Sequence, residues 1–220
     1  ISNNLEPRQE SQRVFDVLKG SEIITVQKNL ITQIGDVRLH VLWPEASNRS
    51  FEELPGEGSA INNSSIALMA TTSDWSLFSA GDLEPPAQRE LINLVGPVDV
   101  YKVSHHGSRH QDEGLTRALS PQVALISVGA SNPYGHPAAE TIESLTRLGT
   151  QVFRTDVDGA VSISASAHGV TASISAIRIV VCRPSTTTVK VSPSTTPTTL
   201  PEEASEAMLE ATHTPANRAR

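Results

Sequence analysis

Residues 98–128, VDVYKVSHHGSRHQDEGLTRALSPQVALISV, contain the pattern that decides the fold. Two apolar runs, 98–103 and 123–128, stand on either side of a polar segment and a short amphipathic stretch at 115–119. Apolar runs of this length predict buried strands, and the amphipathic stretch predicts a helix between them. The alternation of strand and helix is typical of the α/β class.

The flanking sequence continues this alternation in both directions. Upstream, apolar spacing and turn residues predict a helix at 9–19, strands at 22–26 and 37–41, a long polar loop at 46–63, and a hairpin of 66–70 with 75–80. They also predict a helix at 85–95, directly before the starting segment. Downstream, they predict a helix at 137–148 and strands at 151–154, 160–164 and 170–181. A turn at Asp158-Gly159 separates 151–154 from 160–164, and 170–181 is expected to pair back as the last strand.

Composition divides the 220 residues into a domain and a tail. The 38% hydrophobic content is enough for one domain with a buried core. From Arg183 onward Thr, Ser, Pro, Glu and Ala dominate, which is typical of disorder. We therefore predict a partial domain at 1–182 and a disordered tail at 183–220.

Charge and cysteine content narrow the possible functions. Lys and Arg total 17 against 24 Asp and Glu, a formal net charge of -7, so composition gives no sign of a broad basic surface that coats nucleic acid. Cys182 is the only cysteine, which excludes an internal disulfide and any zinc site built from several cysteines. A metal ion would therefore need histidine and carboxylate ligands.

The beginning of the chain and its least polar stretch bear on its relation to the membrane. The sequence starts at Ile1 without a signal-peptide pattern, so we expect it to be a fragment of a longer protein. The stretch 161–181 contains five serines together with His168 and Arg178. Such a stretch does not match a membrane span.

Candidate site residues follow two of the predicted strands. Asp82 comes after an apolar run and Gly81, and His105 and His106 come after the run at 98–103. Such positions lie at the carboxyl ends of strands, where α/β folds place their sites. A Gly-Asp pair is also a common turn or helix cap, whereas an adjacent histidine pair before Gly-Ser favours a site.

The two adjacent histidines are expected to have different roles. Neighbouring side chains on extended backbone point to opposite sides. One histidine can then bind a metal ion while the other orients that ligand or meets a substrate oxygen.

The remaining histidines carry weaker signals. His136 stands directly before Pro137 and a predicted helix, so a site role and a plain helix flank both stay open. Four others read as surface or structural residues: His40, His110, His168 and His213.

Two kinds of chemistry can use the residues of this cluster. Ser104 and Ser108 flank the histidine pair, but no G-x-S-x-G elbow supports a Ser-His-Asp triad. Asp82 with a histidine fits better in a metal centre, where a carboxylate can bridge two ions and an imidazole binds one of them. Such a centre can polarise a phosphoryl oxygen.

Five segments, taken together, resemble the metallo-β-lactamase-fold hydrolase domain of ComEC-type DNA-uptake proteins. They occur in the family's order and approximate spacing within about 37–164: NNSSIAL (62–68), SAGDLE (79–84), VDVYKVSHHGS (98–108), PQVALISVGASNPYGHPAAETIESL (121–145) and VFRTDVDGAVSI (152–163). The resemblance implies the C-terminal portion of a metallo-β-lactamase-like αββα sandwich, an α/β fold with a mixed sheet and flanking helices.

The resemblance also implies roles for particular residues. Asp82 corresponds to the family's bridging aspartate, His106 to a late metal ligand, and His105 to a catalytic group set toward the scissile phosphate. Further site candidates are Asn62, near the position of another metal-binding histidine in many relatives, Ser108 in HHGS, and His136 in the family's GHP motif.

One part of the family's metal site is absent from this sequence. The first ligand cluster, of the H-x-H-x-D-H kind, occurs nowhere in the 220 residues. We expect it upstream in a longer protein, completing a site for one or two divalent ions, Zn or Mn, so that this chain alone is inactive. The alternative is a truncated, inactive relative of the family.

The biological role comes from the resemblance alone. It implies transformation, with single- or double-stranded DNA as substrate, a polytopic membrane channel in the same parent protein, and a soluble segment on the outer face of the bacterial membrane. From the residues themselves, Lys102 and Arg109 beside the histidines are candidates for phosphate contacts, and equally for solvated surface residues. Two alternatives stay open: a non-catalytic accessory domain of the channel, and a soluble metallo-hydrolase of another phosphoester.

Overall fold

Strands and helices alternate along most of the chain. The computed structural model describes residues 9–21, 23–45, 59–166 and 169–175. The helices of these ranges are α1 (Gln9–Val17), α2 (Ser59–Asn62), α3 (Pro85–Leu91), α4 (Glu113–Leu119), α5 (Ala139–Arg147) and α6 (Thr155–Asp158). The strands are β1 (Ile31–Ile34), β2 (Val37–Trp43), β3 (Ala67–Thr71), β4 (Ser76–Ser79), β5 (Val100–Lys102), β6 (Val123–Ile126), β7 (Gln151–Arg154), β8 (Ala160–Ser166) and β9 (Gly169–Ser175).

Seven strands form one mixed sheet whose spatial order follows the chain, from β1 to β7. The pairs among β1, β2, β3 and β4 are antiparallel. The pairs among β4, β5, β6 and β7 are parallel. Parallel neighbours need long connections, and α3, α4 and α5 lie in those connections. The carboxyl ends of β4 to β7 therefore meet along one edge of the sheet.

The core lies between one face of the sheet and these helices. Phe78, Tyr101 and Ala124 pair in register across β4, β5 and β6, and all three are buried. The helices add Leu91, Leu115, Leu119 and Leu145 to the same cluster. The apolar spacing seen in the sequence thus forms one core, and the mixed sheet with flanking helices confirms the predicted fold class.

The predicted hairpin and helices are confirmed with small changes at their ends. The hairpin is β3 paired with β4, and the helix predicted at 85–95 is α3 followed by a short 3-10 helix, Ile92–Leu94. Pro85 and Pro86 occupy its first turn, where a missing N–H costs little.

Two predictions for the N-terminal part are wrong. Residues 23–26, predicted as a strand, have no regular structure; instead β1 pairs with β2 through a turn at Gly35, whose φ is +59°. The predicted loop 46–63 ends in the short helix α2, while 46–58 lie outside the described residues.

The end of the domain also differs from the prediction. The segment after β7 forms the helical turn α6, so β7 and β8 belong to different sheets. β8 pairs with β9 in a separate two-stranded sheet, as predicted for the last strand, whose residues 176–181 lie outside the described ranges. The domain boundary at 182 and the tail at 183–220 stay predictions. None of the described helices is long and apolar enough to cross a membrane.

Two connections at the carboxyl edge pack directly on each other. Gly107, after β5, has φ +78°, and a Cβ there would lie 2.7 Å from Cβ of Pro137, which precedes α5. The Ala138 N–H donates to the Gly107 carbonyl over 2.8 Å. The HHGS and YGHP segments therefore meet because glycine leaves room for proline.

This contact predicts a large cost for Gly107→Ala. The left-handed backbone alone should cost about 1–2 kcal/mol, and the overlap with Pro137 about 1–3 kcal/mol more. Gly149→Ala is the matched control, since Gly149 has φ +80° but no atom within 4 Å of a built Cβ. Urea unfolding should show the larger loss for Gly107→Ala, and equal losses would contradict the close packing.

Candidate metal and phosphoester site

The candidate residues lie where the parallel strands end. Asp82 follows β4, His105 and His106 follow β5, and Ser127 follows β6. Because these strands are adjacent and parallel, their ends lie side by side at one edge of the sheet. The structure thus brings together Asp82 and both histidines, as the sequence predicted.

The histidine pair lies in a tight turn, Ser104–Gly107, rather than on extended backbone. His105 and His106 have φ values of 46° and 52°, in the left-handed region. The expected extended backbone is therefore wrong, because the chain turns directly after β5 and packs against Pro137 at Gly107. The two rings nevertheless have different neighbours.

Hydrogen bonds from neighbouring segments stabilise this turn. The His105 N–H donates to the Gly81 carbonyl over 3.0 Å. The Gln111 amide donates to the carbonyls of Ser104 and Ser108 over 3.0 and 3.1 Å. The turn is therefore tied both to the segment that carries Asp82 and to the start of α4.

The His106 ring lies between a backbone carbonyl and a carboxylate. Its Nδ1 lies 2.6 Å from the Ser127 carbonyl oxygen, which can only accept, so Nδ1 carries the proton. Its Nε2 lies 3.5 Å from Oδ1 of Asp82. In the neutral imidazole, Nε2 then has a lone pair on the side of Asp82, the arrangement found in histidines that bind metals.

The separation of these two atoms suits a shared metal ion. Two ligands about 2.1 Å from one tetrahedral zinc ion would lie about 3.4 Å apart. The Asp82 and His106 side chains are 39% and 44% exposed, so an ion can reach them from solvent. Within the described residues, no group of three or more His, Cys, Asp or Glu side chains could hold a metal ion. The donor pair fits a metal, and further ligands would have to complete the site.

The backbone near Asp82 is fixed by Ser65. The Asp82 N–H donates to the Ser65 hydroxyl over 3.0 Å. Gly81 has φ +54°, and a Cβ there would lie 2.7 Å from Cβ of Ser65. The NNSS segment therefore sets the position of the aspartate through a close backbone approach.

His105 faces a second carboxylate, Glu84. Nδ1 of His105 lies 3.9 Å from Oε1 of Glu84, whose side chain is fully buried. The Asn62 amide donates to the same Oε1 over 2.8 Å, and the Asn63 side-chain oxygen accepts the Glu84 N–H over 3.0 Å. A buried carboxylate needs hydrogen-bond partners, and here Asn62 supplies one to Oε1 while Asn63 fixes the Glu84 backbone.

Asn62 and Ser108 have observed contacts that differ from metal binding. The Asn62 amide is used on Glu84. Ser108 is fully buried, its hydroxyl accepts the His110 N–H over 3.1 Å, and its carbonyl accepts the Thr141 hydroxyl over 2.8 Å. Both residues therefore support the site from behind in this structure.

His136 lies beside the histidine turn. Its ring centroid is 5.4 Å from that of His105, with an edge-on angle of 67°. Tyr134 stacks on the same His136 ring, with centroids 6.2 Å apart and planes inclined by 23°. The structure thus places the GHP histidine next to His105.

The two basic candidates differ in their surroundings. Lys102 follows the core residue Tyr101 on β5, so its side chain lies on the sheet face opposite the helices. Burial lowers the pKa of the Lys102 ammonium, and the nearby Asp82 carboxylate opposes that shift. Arg109 is exposed. Lys102 is therefore the cation whose charge acts on the candidate site.

Sequence reasoning missed three residues of this region. Ser127 acts through its backbone carbonyl, so its side-chain identity carries no signal. Glu84 was hidden at the start of α3, where an acidic residue is common. Tyr134 stood within the YGHP segment and was not singled out, although its ring is 78% exposed.

Comparison with known proteins identifies relatives of the chain. It is 34% identical to ComE operon protein 3 of Bacillus subtilis over 159 residues. This alignment covers 71% of this chain and 19% of the Bacillus protein. It is 32% identical to Recombination protein 2 of Haemophilus influenzae, over 48% of this chain and 14% of the relative. It is 30% identical to Competence protein ComA of Neisseria gonorrhoeae, over 50% and 17%.

Other comparisons add less. No protein-family model matches the chain. Among solved structures, a CmlA beta-hydroxylase E377D mutant aligns with a TM-score of 0.41 and 13% identity over 64% of this chain and 34% of that one. The chain spans less than a fifth of the length of each of the three sequence relatives. These sequence matches confirm the resemblance of the chain to ComEC-type competence proteins.

Proposed function

We propose that the chain is part of a metal-dependent phosphodiester hydrolase domain that acts on DNA in a ComEC-like competence protein. The observation that carries this proposal is the position of His106, whose Nδ1 donates to a backbone carbonyl while Nε2 lies 3.5 Å from Asp82. This arrangement supports a metal-ligand role for both residues. The three competence relatives support the DNA context.

Asp82 and His106 would hold a divalent ion, Zn or Mn, together with ligands from outside the described residues. When bound, such an ion polarises a phosphoryl oxygen and lowers the pKa of its water. The chain's own contribution is orientation. The Ser127 carbonyl fixes the His106 tautomer, and Ser65 fixes the backbone at Asp82.

His105 would act on the phosphodiester rather than on the metal. Its ring lies beside Glu84 and His136. A histidine in this position can donate a proton to the leaving oxygen as the P–O bond breaks. Glu84 would orient the ring, and the Lys102 ammonium would add positive charge near the phosphate.

The parent protein provides the setting of this proposal. Competence relatives several times longer than this chain suggest a parent that takes up DNA through a membrane channel. We infer that this segment lies outside the bilayer, on the outer face of the bacterial membrane, and meets single- or double-stranded DNA there. Degradation of the strand that is not taken up would be its task.

Removal of either proposed ligand should abolish metal binding. In the natural protein, Asp82→Asn and His106→Ala should each lower Zn or Mn affinity by more than the roughly 10- to 100-fold that outer-shell changes cost. Metal content after dialysis and titration calorimetry measure this. Asp74→Asn, in the exposed turn before β4, and His40→Ala, on β2, are matched controls.

Unchanged metal content and DNA cleavage in both ligand variants would contradict the proposal. A protein that binds no metal and cleaves nothing would favour the non-catalytic accessory domain. Cleavage of small phosphoesters without cleavage of DNA would favour a hydrolase of another phosphoester.

Loss of His105 should separate catalysis from metal binding. His105→Ala should reduce kcat for cleavage of a DNA oligonucleotide by about 10²- to 10⁴-fold, the usual contribution of a general acid or base. Metal affinity should stay near that of the wild type, because Asp82 and His106 are intact. A parallel loss of metal would show instead that His105 is itself a ligand.

A further inference from the structure

The YGHP segment forms a short ordered loop beside the site. The Asn132 side-chain oxygen accepts the Tyr134 N–H over 2.7 Å, and the Asn132 N–H donates to the Gly129 carbonyl over 3.1 Å. Gly135 then turns the chain with φ +74°. The loop ends where Ala138 binds the Gly107 carbonyl. Its position is therefore set by the histidine turn itself.

Three rings follow one another from solvent to the catalytic candidate. Tyr134 stacks on His136, with centroids 6.2 Å apart and planes inclined by 23°. His136 then meets His105 edge-on at 5.4 Å. A planar group resting on the outer ring would thus lie beside the group proposed to act on a phosphodiester.

Tyr134 is unusual among the aromatic side chains of the described residues. The residue is 78% exposed, and no other Phe, Trp or Tyr of the described residues is largely exposed. The others are buried or half-buried: Phe15, Trp43, Trp75, Phe78, Tyr101 and Phe153. An exposed ring contributes little apolar burial to the fold, and this ring stands in contact with His136, which in turn contacts His105.

From these observations we propose that Tyr134, supported by His136, is a stacking platform for a base of single-stranded DNA next to the scissile phosphate. The inference rests on the proposed function and adds a base subsite to it. Every base has a flat π face, so an aromatic platform binds bases with little regard to sequence. The chain has a formal net charge of -7, so its electrostatic attraction for DNA phosphates is weak. Stacking on Tyr134 would therefore add to the affinity for DNA.

Binding without turnover tests the platform independently of catalysis. The probe is a fluorescein-labelled dT 12-mer, measured by fluorescence anisotropy with the full chain at low salt and with EDTA present. Tyr134→Ala and Tyr134→Leu should weaken binding about 5- to 150-fold, the range for loss of one stacked base. Tyr134→Phe should bind like the wild type, because it keeps the ring. Ile34→Ala, an exposed apolar residue on β1, is the control.

A second probe separates stacking from charge. A 12-mer with the same phosphates but abasic sugars should bind more weakly than dT 12-mer to the wild type, and Tyr134→Ala should not weaken it further. Equal affinity of wild type and Tyr134→Ala for dT 12-mer would overturn the platform, as would equal loss for the abasic probe or failure of the wild type to bind dT 12-mer.

The outcome is distinguishable from that of the proposed hydrolase. Tyr134-dependent binding, together with no DNA cleavage by the longer natural protein when metal is present, would uphold the platform and overturn the hydrolase. Cleavage of DNA with unchanged binding in Tyr134→Ala would do the reverse.

Discussion

The candidate site depends on a backbone that stays left-handed through His105, His106 and Gly107. For the two histidines this conformation costs about 1–2 kcal/mol each. It persists because the turn has contacts on every side, among them the Gly81 carbonyl and the Gln111 amide. The conformation sends two adjacent imidazoles to different partners, one beside Asp82 and one beside Glu84.

The supports of this turn reach into all of its neighbouring segments. Gln88 of α3 donates to the Leu83 carbonyl over 2.6 Å and accepts the Asp112 N–H over 2.6 Å, which links the segment of Asp82 to the start of α4. Thr155 accepts the Val128 N–H over 2.8 Å and donates to its carbonyl over 2.7 Å. This second pair fixes the strand end that presents the carbonyl to His106. The motifs far apart in sequence are thus parts of one hydrogen-bonded support.

Much of the fold was predictable, because its parallel half consists of buried strands and amphipathic helices. The ends of β5 and β6 lie within two residues of the ends of the apolar runs at 98–103 and 123–128. The exposed edge was not predictable. All four residues of β1 face solvent, so no alternation marks them, while the apolar residues 23–26 lie on no strand.

The site was predictable only where side-chain type carries the information. Asp82, His105 and His106 stand at strand ends, and the sheet brings strand ends together. The carbonyl of Ser127 and the burial of Glu84 are products of tertiary packing, which no local pattern reports. The left-handed conformation of the histidine turn was not predictable for a similar reason, since a pair of adjacent histidines does not indicate positive φ values.

The sheet changes from antiparallel to parallel pairing at β4, and the entropy cost of loop closure differs between its two parts. β3 and β4 meet through the short turn 72–75, so their pairing is local, whereas β4 and β5 must wait for α3 to span the gap. Loop-closure entropy makes such distant pairings slower to form. Asp82 follows β4 and His106 follows β5, so the two proposed ligands come together only when the slower parallel pairing of β4 with β5 forms.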